Sequence, residues 1–198
     1  MKRGSKAAAK AELLDAVYGA HAACVVRADG ALPCSSAAVL NAWHGSRDYA
    51  KAIAAGLMTL GEVHGPIVQA YEFLTRRAAE GTEATEKAVV KYLKAGAKIP
   101  GWGNAFVRGD YDPAWHGVDD VLSVHFMEIH DVLMLVTHAL HAAGKKIYPN
   151  AAAYTAAAAM ALGMPKEIAP ALFVRGRLEE WGKLIVNHGA TESTEGKP

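Results

Sequence analysis

The sequence predicts an all-α fold, and three observations carry that prediction. Alternating runs of β-branched residues, which mark half-buried strands, do not occur. Ala, Leu, Met, Lys and Glu dominate, and all five lose little freedom on entering a helix. Glycine and proline punctuate the longer apolar stretches as stops and starts. The reading is a chain of about eight helices.

The first helix is expected over 6–26 and a short second one over 35–43. A third, over 48–60, follows the Gly45-Ser46 turn, with Ser46 as the expected N-cap because its hydroxyl can accept from a free first-turn amide. The fourth starts at His64-Gly65-Pro66 and runs to Ala79; proline suits a first turn, where its missing donor costs nothing. The fifth, over 82–95, is capped by Thr82 and sets Glu83 and Glu86 at the positive end of the helix. A long helix is expected over 119–143, stopped by Gly144. The next covers 151–162 and stops at Gly163; Ala151-Ala152-Ala153 and Ala156 to Ala159 leave it apolar on every side, so it is expected to be buried. Alanine-lined faces also permit close helix–helix approach and a broad flat interface. The last helix, over 166–188, is expected to break near Pro170. Residues 1–188 therefore read as one helical domain and 189–198 as a polar, flexible tail.

Charge and composition narrow the function. Lys+Arg 21 against Asp+Glu 20 leaves a net charge of +1, so there is no basic field to hold nucleic acid. No apolar run reaches the roughly twenty residues of a membrane span; the longest, 132–143, contains His138 and His141. The basic, Ala-rich start has no apolar core of signal-peptide length, and Glu12 and Asp15 follow it. Cys24 and Cys34 lie outside any metal-type spacing and read as buried, reduced thiols of a cytoplasmic protein. His125, His130, His138 and His141 crowd one stretch with Glu128 and Asp131 but form no His-x-x-x-His pair, so no metal is expected. Trp43, Trp102, Trp115 and Trp181 read as core or pocket walls, given the neutral charge.

The most informative stretch is Ile99-Pro100-Gly101-Trp102-Gly103-Asn104, followed by Arg108 and Asp112-Pro113. Such a run cannot continue a helix, and it lies between two helical patterns, so it is a shaped loop. Glycines let a ligand reach backbone N–H and C=O groups. The alternative is a helix-breaking turn around one packed Trp.

Four segments, in order, give this loop a context. Ala50 to Leu57 leads into Gly61-Glu62-Val63-His64-Gly65; the Pro-Gly-Trp-Gly loop comes next; Pro149-Asn150 and Tyr154 precede Leu162-Gly163-Met164-Pro165; and Leu172-Phe173, Arg177 and Trp181 close the set. Together they resemble the citrate synthase family, including citryl-CoA lyase. These segments match its Gly-Pro-Leu-His-Gly, Pro-Gly-aromatic-Gly-His, Pro-Asn-x-Asp-x-Tyr and Phe-x-x-x-Arg-x-x-x-Trp patterns. The resemblance covers roughly 28–188; the family's long N-terminal helical region has no counterpart in it.

The resemblance implies a citrate-synthase-like multi-helical domain, a homodimer, and a coenzyme A thioester and a carboxylic acid as substrates. It implies that His64 donates to the thioester oxygen, that Pro100, Gly101, Trp102 and Gly103 meet the adenine through backbone, and that Arg108 contacts a CoA phosphate. Arg177 pairs with a substrate carboxylate, and Asn150 belongs to the substrate-binding set. The alternative for Arg177 is a structural salt bridge to Glu179 or Glu180.

Other family positions are changed. Asn104 stands where the second catalytic histidine is expected, Ala152 where the catalytic carboxylate is, Gly30 at a ligand histidine and Ala114 at an arginine. Asn104 can donate to a second oxygen but exchanges no proton near neutral pH. Each general acid–base group is worth about 10²–10⁴ in rate, so two losses treated as independent remove roughly 10⁴–10⁸. Glu62, Asp110, Asp112 and His116 are the nearby groups that could stand in. Two functions follow: an acyl-CoA carbon–carbon lyase or condensing enzyme with altered catalytic groups, or a catalytically degenerate member that binds CoA or a protein partner. A helical scaffold without ligand is the third.

Overall fold

The computed structural model describes the chain apart from residues 1–2, 28–29, 62–63, 105–106, 108 and 196–198, and apart from the side chains of 3–5 and 189–195. The described residues form eight α-helices and two short 3-10 turns, and no strand. The helices are α1 (Arg3–Ala23), α2 (Cys34–Ser46), α3 (Tyr49–Met58), α4 (Ile67–Lys94), α5 (His116–His125), α6 (Met127–Ala142), α7 (Ala151–Leu162) and α8 (Pro170–Glu195). The 3-10 turns are Pro113–Trp115 and Lys166–Ile168.

The all-apolar α7 is the axis of the molecule. Ala152 to Ala159 are all buried, and α1, α4, α5, α6 and α8 pack around it. Its alanines are therefore consumed within the chain. Asn150 caps its start by accepting from the Ala152 N–H at 2.9 Å, and Gly163 closes its end in a left-handed conformation.

Two boundaries differ from expectation. Ser46 does not cap α3; it ends α2, its hydroxyl accepting from the Asp48 N–H, and the Asp48 carboxylate caps α3 by accepting from the Lys51 N–H. Asp48, two residues further on, caps instead because Arg47, in a left-handed conformation, already turns the chain between the two helices. The helix expected over 119–143 is two, α5 and α6, separated at Phe126 (φ −136°, ψ 45°). No glycine or proline marks that break. Phe126 packs against the core while Val124 and Met127 on either side are exposed, so packing overrides propensity. The helices expected over 64–79 and 82–95 are the two halves of α4, separated at a non-helical Gly81 (φ 79°, ψ −171°). Cys24 and Cys34 are free thiols as expected, but Cys34 is exposed rather than buried. No described helix is long and apolar enough to cross a membrane.

Candidate functional site

Arg177 lies one turn before Trp181 on α8, and its side chain is 4% exposed. Trp181 donates its indole N–H to Ser36 in the first turn of α2 (3.2 Å), which fixes that face of α8 against α2. On its other side α8 meets α1. A Cβ at Gly176 would stand 2.6 Å from the His21 Cβ and 3.1 Å from the Tyr18 carbonyl, so only glycine permits this approach. Arg177 is thereby brought to the end of α1, where it donates to the Cys24 carbonyl at 3.0 Å and stacks over the Phe173 ring at 4.6 Å. No acid pairs with it among the described residues. Glu179 and Glu180 bond Lys183 instead, at 2.9 and 2.6 Å.

Two histidines join this guanidinium. His64, in the turn before α4, packs edge-on to Phe173 with ring centroids 6.1 Å apart. His21, fully buried on α1, lies edge-on to Phe173 (4.8 Å) and Trp115 (4.9 Å) and hydrogen-bonds Thr155 at 2.8 Å. Burial, and then the Arg177 charge, holds His64 below the usual histidine range and His21 well below it. Both are neutral imidazoles at pH 7. The buried His64 Nε2, His21 Nδ1 and Arg177 Nε have no hydrogen-bond partner. Native proteins pair nearly all such atoms, so these three leave unused hydrogen-bonding capacity in one cluster.

Asn104 reaches this cluster through Asp112. Its amide donates to Asp112 at 3.0 Å, and Asp112 also caps the Pro113–Trp115 turn by accepting from the Ala114 N–H (3.2 Å). Burial pushes the Cys24 thiol up; Arg177 pulls it down and Asp112 pushes it up again. A basic and an acidic group thus act together on one half-buried sulfur.

The Pro-Gly-Trp-Gly loop is held largely by its own chain. Gly103 N–H donates to the Tyr148 carbonyl (2.9 Å), Asn150 N–H to the Gly101 carbonyl (2.8 Å), and the Asn150 side chain to the Gly103 carbonyl (2.7 Å). Both ends of the Asn150 amide are thus engaged. Gly101, at φ 90°, sits so close to α7 that an added Cβ would be 2.8 Å from the Ala153 Cβ. Trp102 turns inward, its indole N–H on Thr137 (3.1 Å) and its ring against Phe73. Where the loop opens, a cavity of about 270 Å³ is lined by Gly103, Asn104, Asp110, Asp112, Lys146 and Tyr148 among others. Asn104 and Asp112 therefore line this cavity, and Asp112 caps the turn whose Trp115 packs on His21, whereas Trp102 faces the core. Arg108 and Glu62 lie outside the described residues.

Sequence reasoning missed His21 and Lys146 here, and read Cys24 only as a reduced thiol and Trp115 only as a core or pocket wall. His21 had a signal: it continues the apolar stripe of Leu13, Val17 and Ala20. Of the vacated positions, Gly30 is exposed, and the histidine beside Arg177 is His21 instead. Ala152 is buried, its N–H taken by Asn150. No group of three His, Cys, Asp or Glu able to hold a metal occurs among the described residues.

Comparison with curated protein sequences finds no match. Three solved structures share the fold. Citryl-CoA lyase from Hydrogenobacter thermophilus superposes with a TM-score of 0.70 at 22% identity, covering 90% of this chain and 68% of its own. Citrate synthase from Thermotoga maritima gives 0.70 at 25%, covering 84% and 47%. Citrate synthase from Thermoplasma acidophilum, in a ternary complex with carboxymethyl coenzyme A and oxaloacetate, gives 0.67 at 26%, covering 88% and 48%. The chain thus spans about half the length of these two citrate synthases. Its residues 6–187 match the family described as citrate synthase, C-terminal domain. By that match, over nearly its whole length, the chain belongs to the citrate synthase family.

Proposed function

We propose that this protein binds an acyl-CoA thioester together with a small carboxylic acid and makes or breaks a carbon–carbon bond between them, as a condensing enzyme or lyase with altered catalytic groups. The observation that carries the reading is Arg177: a guanidinium 4% exposed with no acid partner among the described residues. A buried, unpaired cation is costly, and a ligand carboxylate offsets that cost. In this reading Arg177 takes the carboxylate of the acid. His64, neutral and with its buried Nε2 open, donates an N–H to the thioester oxygen and stabilises the enol form. Asn104, held by Asp112 on the cavity wall, faces the oxygen of the acid as a neutral hydrogen-bonding amide. Pro100 to Gly103 shape the edge of the coenzyme A site, Asn150 holding that loop from behind. Lys146 on the cavity wall and Arg108 supply charge for the coenzyme phosphates. Support comes from a family relative crystallised with carboxymethyl coenzyme A and oxaloacetate. A homodimer in the cytoplasm completes the reading.

A second reading, a catalytically degenerate member that binds CoA or a protein partner, is favoured by one observation. The position of the family carboxylate, Ala152, is closed: it is 3% exposed, in the turn of α7 that packs on Gly101.

The test is incubation with citryl-CoA, and with acetyl-CoA plus oxaloacetate, following CoA species and thermal stability. Turnover supports the enzyme. Stabilisation by CoA without turnover supports the binding module. A melting temperature indifferent to CoA rejects both.

A further inference from the structure

Resting on the acyl-CoA reading, we propose that Asp112 is the carboxylate that moves the substrate's α-proton, in place of the one Ala152 lacks. Among the described residues, two carboxylates line the cavity at the loop, Asp110 and Asp112. Asp110 is exposed and accepts from its neighbour's backbone, the Tyr111 N–H, at 2.8 Å. Asp112 is half-buried, bonds Asn104, and caps the turn whose Trp115 ring lies edge-on to His21 of the Arg177 cluster at 4.9 Å. It is therefore the carboxylate common to the cavity and the Arg177 cluster. Its oxygens accept one hydrogen bond each, from Asn104 and Ala114. A carboxylate offers about four acceptor sites, so capacity for a proton remains.

Asp112 is also held in place, as a base must be. It begins the turn whose last residue is Trp115, and Trp115 stacks flat on Tyr154 (5.6 Å, 7°). The preceding residue, Tyr111, stacks on His116 at 4.7 Å and hydrogen-bonds the Tyr154 hydroxyl. Tyr154 donates to Asp119 (2.9 Å), and His130 stands 3.3 Å beyond it. This chain joins the loop to α5, α6 and α7. Burial raises both tyrosines far above their usual range, so they stay protonated and hold the segment as neutral hydrogen-bonding groups.

The step balances within the named groups. An Asp112 oxygen takes the α-proton of the thioester. The C–H electron pair becomes the C=C bond of the enolate, and the thioester oxygen takes the charge and the His64 hydrogen bond. In reverse, Asp112 returns the proton to carbon. No oxidant or co-reactant is needed.

The experiment is deuterium exchange into the methyl group of acetyl-CoA in D₂O, with malate present; malate offers Arg177 a carboxylate but no ketone to condense with. The parent chain, Asp112→Asn, Asp110→Asn and Asn104→Ala are compared, with the CoA-induced melting shift measured on each. Asparagine still caps the turn through its carbonyl, so Asp112→Asn keeps the fold. The expected result is exchange in the parent, a loss of about 10²–10⁴ in Asp112→Asn, a rate within a few-fold of the parent in Asp110→Asn, and a loss in Asn104→Ala smaller than that in Asp112→Asn. Exchange at the parental rate in Asp112→Asn overturns the proposal. So does an equal loss in Asn104→Ala, which makes Asp112 only the support of Asn104. A parent stabilised by CoA but without exchange overturns Asp112 as the base and leaves the binding reading standing; a parent with neither overturns both.

Discussion

Two arginines of this chain are equally buried and opposite in character. Arg77 on α4 and Arg177 on α8 are 5% and 4% exposed, and each lies over a phenylalanine ring, Phe73 or Phe173. Arg77 meets Glu80 at 2.8 Å and donates to the Ala84 carbonyl at 3.1 Å, across the break at Gly81. Its charge is answered by the chain, and it ties the two halves of α4. Arg177 has one carbonyl, two neutral histidines and, among the described residues, no acid. Burial alone does not distinguish a structural cation from a binding one; the partner does. The lesson extends to the glycine loop, whose backbone groups are mostly satisfied within the chain and whose role is to set the position of Asn104 and the cavity.

The largest effect that can break this comparison is on ligand binding. Arg177→Met should weaken binding of the acid by about 2–5 kcal/mol, roughly 30-fold or more, as expected when one partner of a buried charge pair is removed. Without ligand the same variant should unfold at an equal or higher denaturant concentration than the parent, because a buried unpaired charge has gone. Arg77→Met should do the reverse. Denaturant titration should show a loss of about 1.5–3 kcal/mol, with affinity for the acid unchanged. If both variants lose stability alike and neither loses affinity, the distinction fails.

Gly176→Ala sharpens the point. The added methyl meets the His21 Cβ and the Tyr18 carbonyl, so α8 must move off α1, at a cost of about 1–3 kcal/mol. Since that contact positions Arg177, affinity for the acid should fall as well. An unchanged affinity alongside lost stability would separate the helix contact from the site.

A pH effect of similar or smaller size comes from the histidines. His21 and His64 have folded pKa values below the ordinary 6.5, so the unfolded chain binds protons first as pH falls. Their contribution to stability is complete above about pH 6.5 and is lost progressively below it. Melting temperature should therefore fall from pH 7 to pH 5, and His21→Gln should flatten that slope. A slope unchanged in His21→Gln assigns the acid sensitivity elsewhere. The smallest effect is at the loop. Trp102→Phe loses the bond to Thr137, worth about 1 kcal/mol by thermal melt, and should leave affinity for the acid intact.

Much of the fold was legible because its signals are local. The alanines of α7, Asn150 before it and Gly163 after it give the boundaries of that helix residue for residue. Pro170 marks the start of α8, and Gly81 the break in α4. The gap between α5 and α6 was not legible, because Phe126 departs from the helix to pack against the core and carries no breaker. The site divides in the same way. His64, Asn104 and Arg177 stand in motifs; His64 and Arg177 both pack on Phe173, while Asn104 bonds Asp112 on the cavity wall. His21, Cys24 and Trp115 come from the end of α1 and from a three-residue turn, where no spacing rule connects them to Arg177. Only the close approach of α8 at Gly176 does so.

The most direct measurement is a crystal structure of the protein with carboxymethyl coenzyme A and oxaloacetate. The account predicts an oxaloacetate carboxylate on the Arg177 guanidinium, the thioester-side oxygen within hydrogen-bond distance of His64 Nε2, and the coenzyme entering past Gly103 and Asn104. Ligands bound elsewhere, with Arg177 unchanged beside the Cys24 carbonyl, would contradict it.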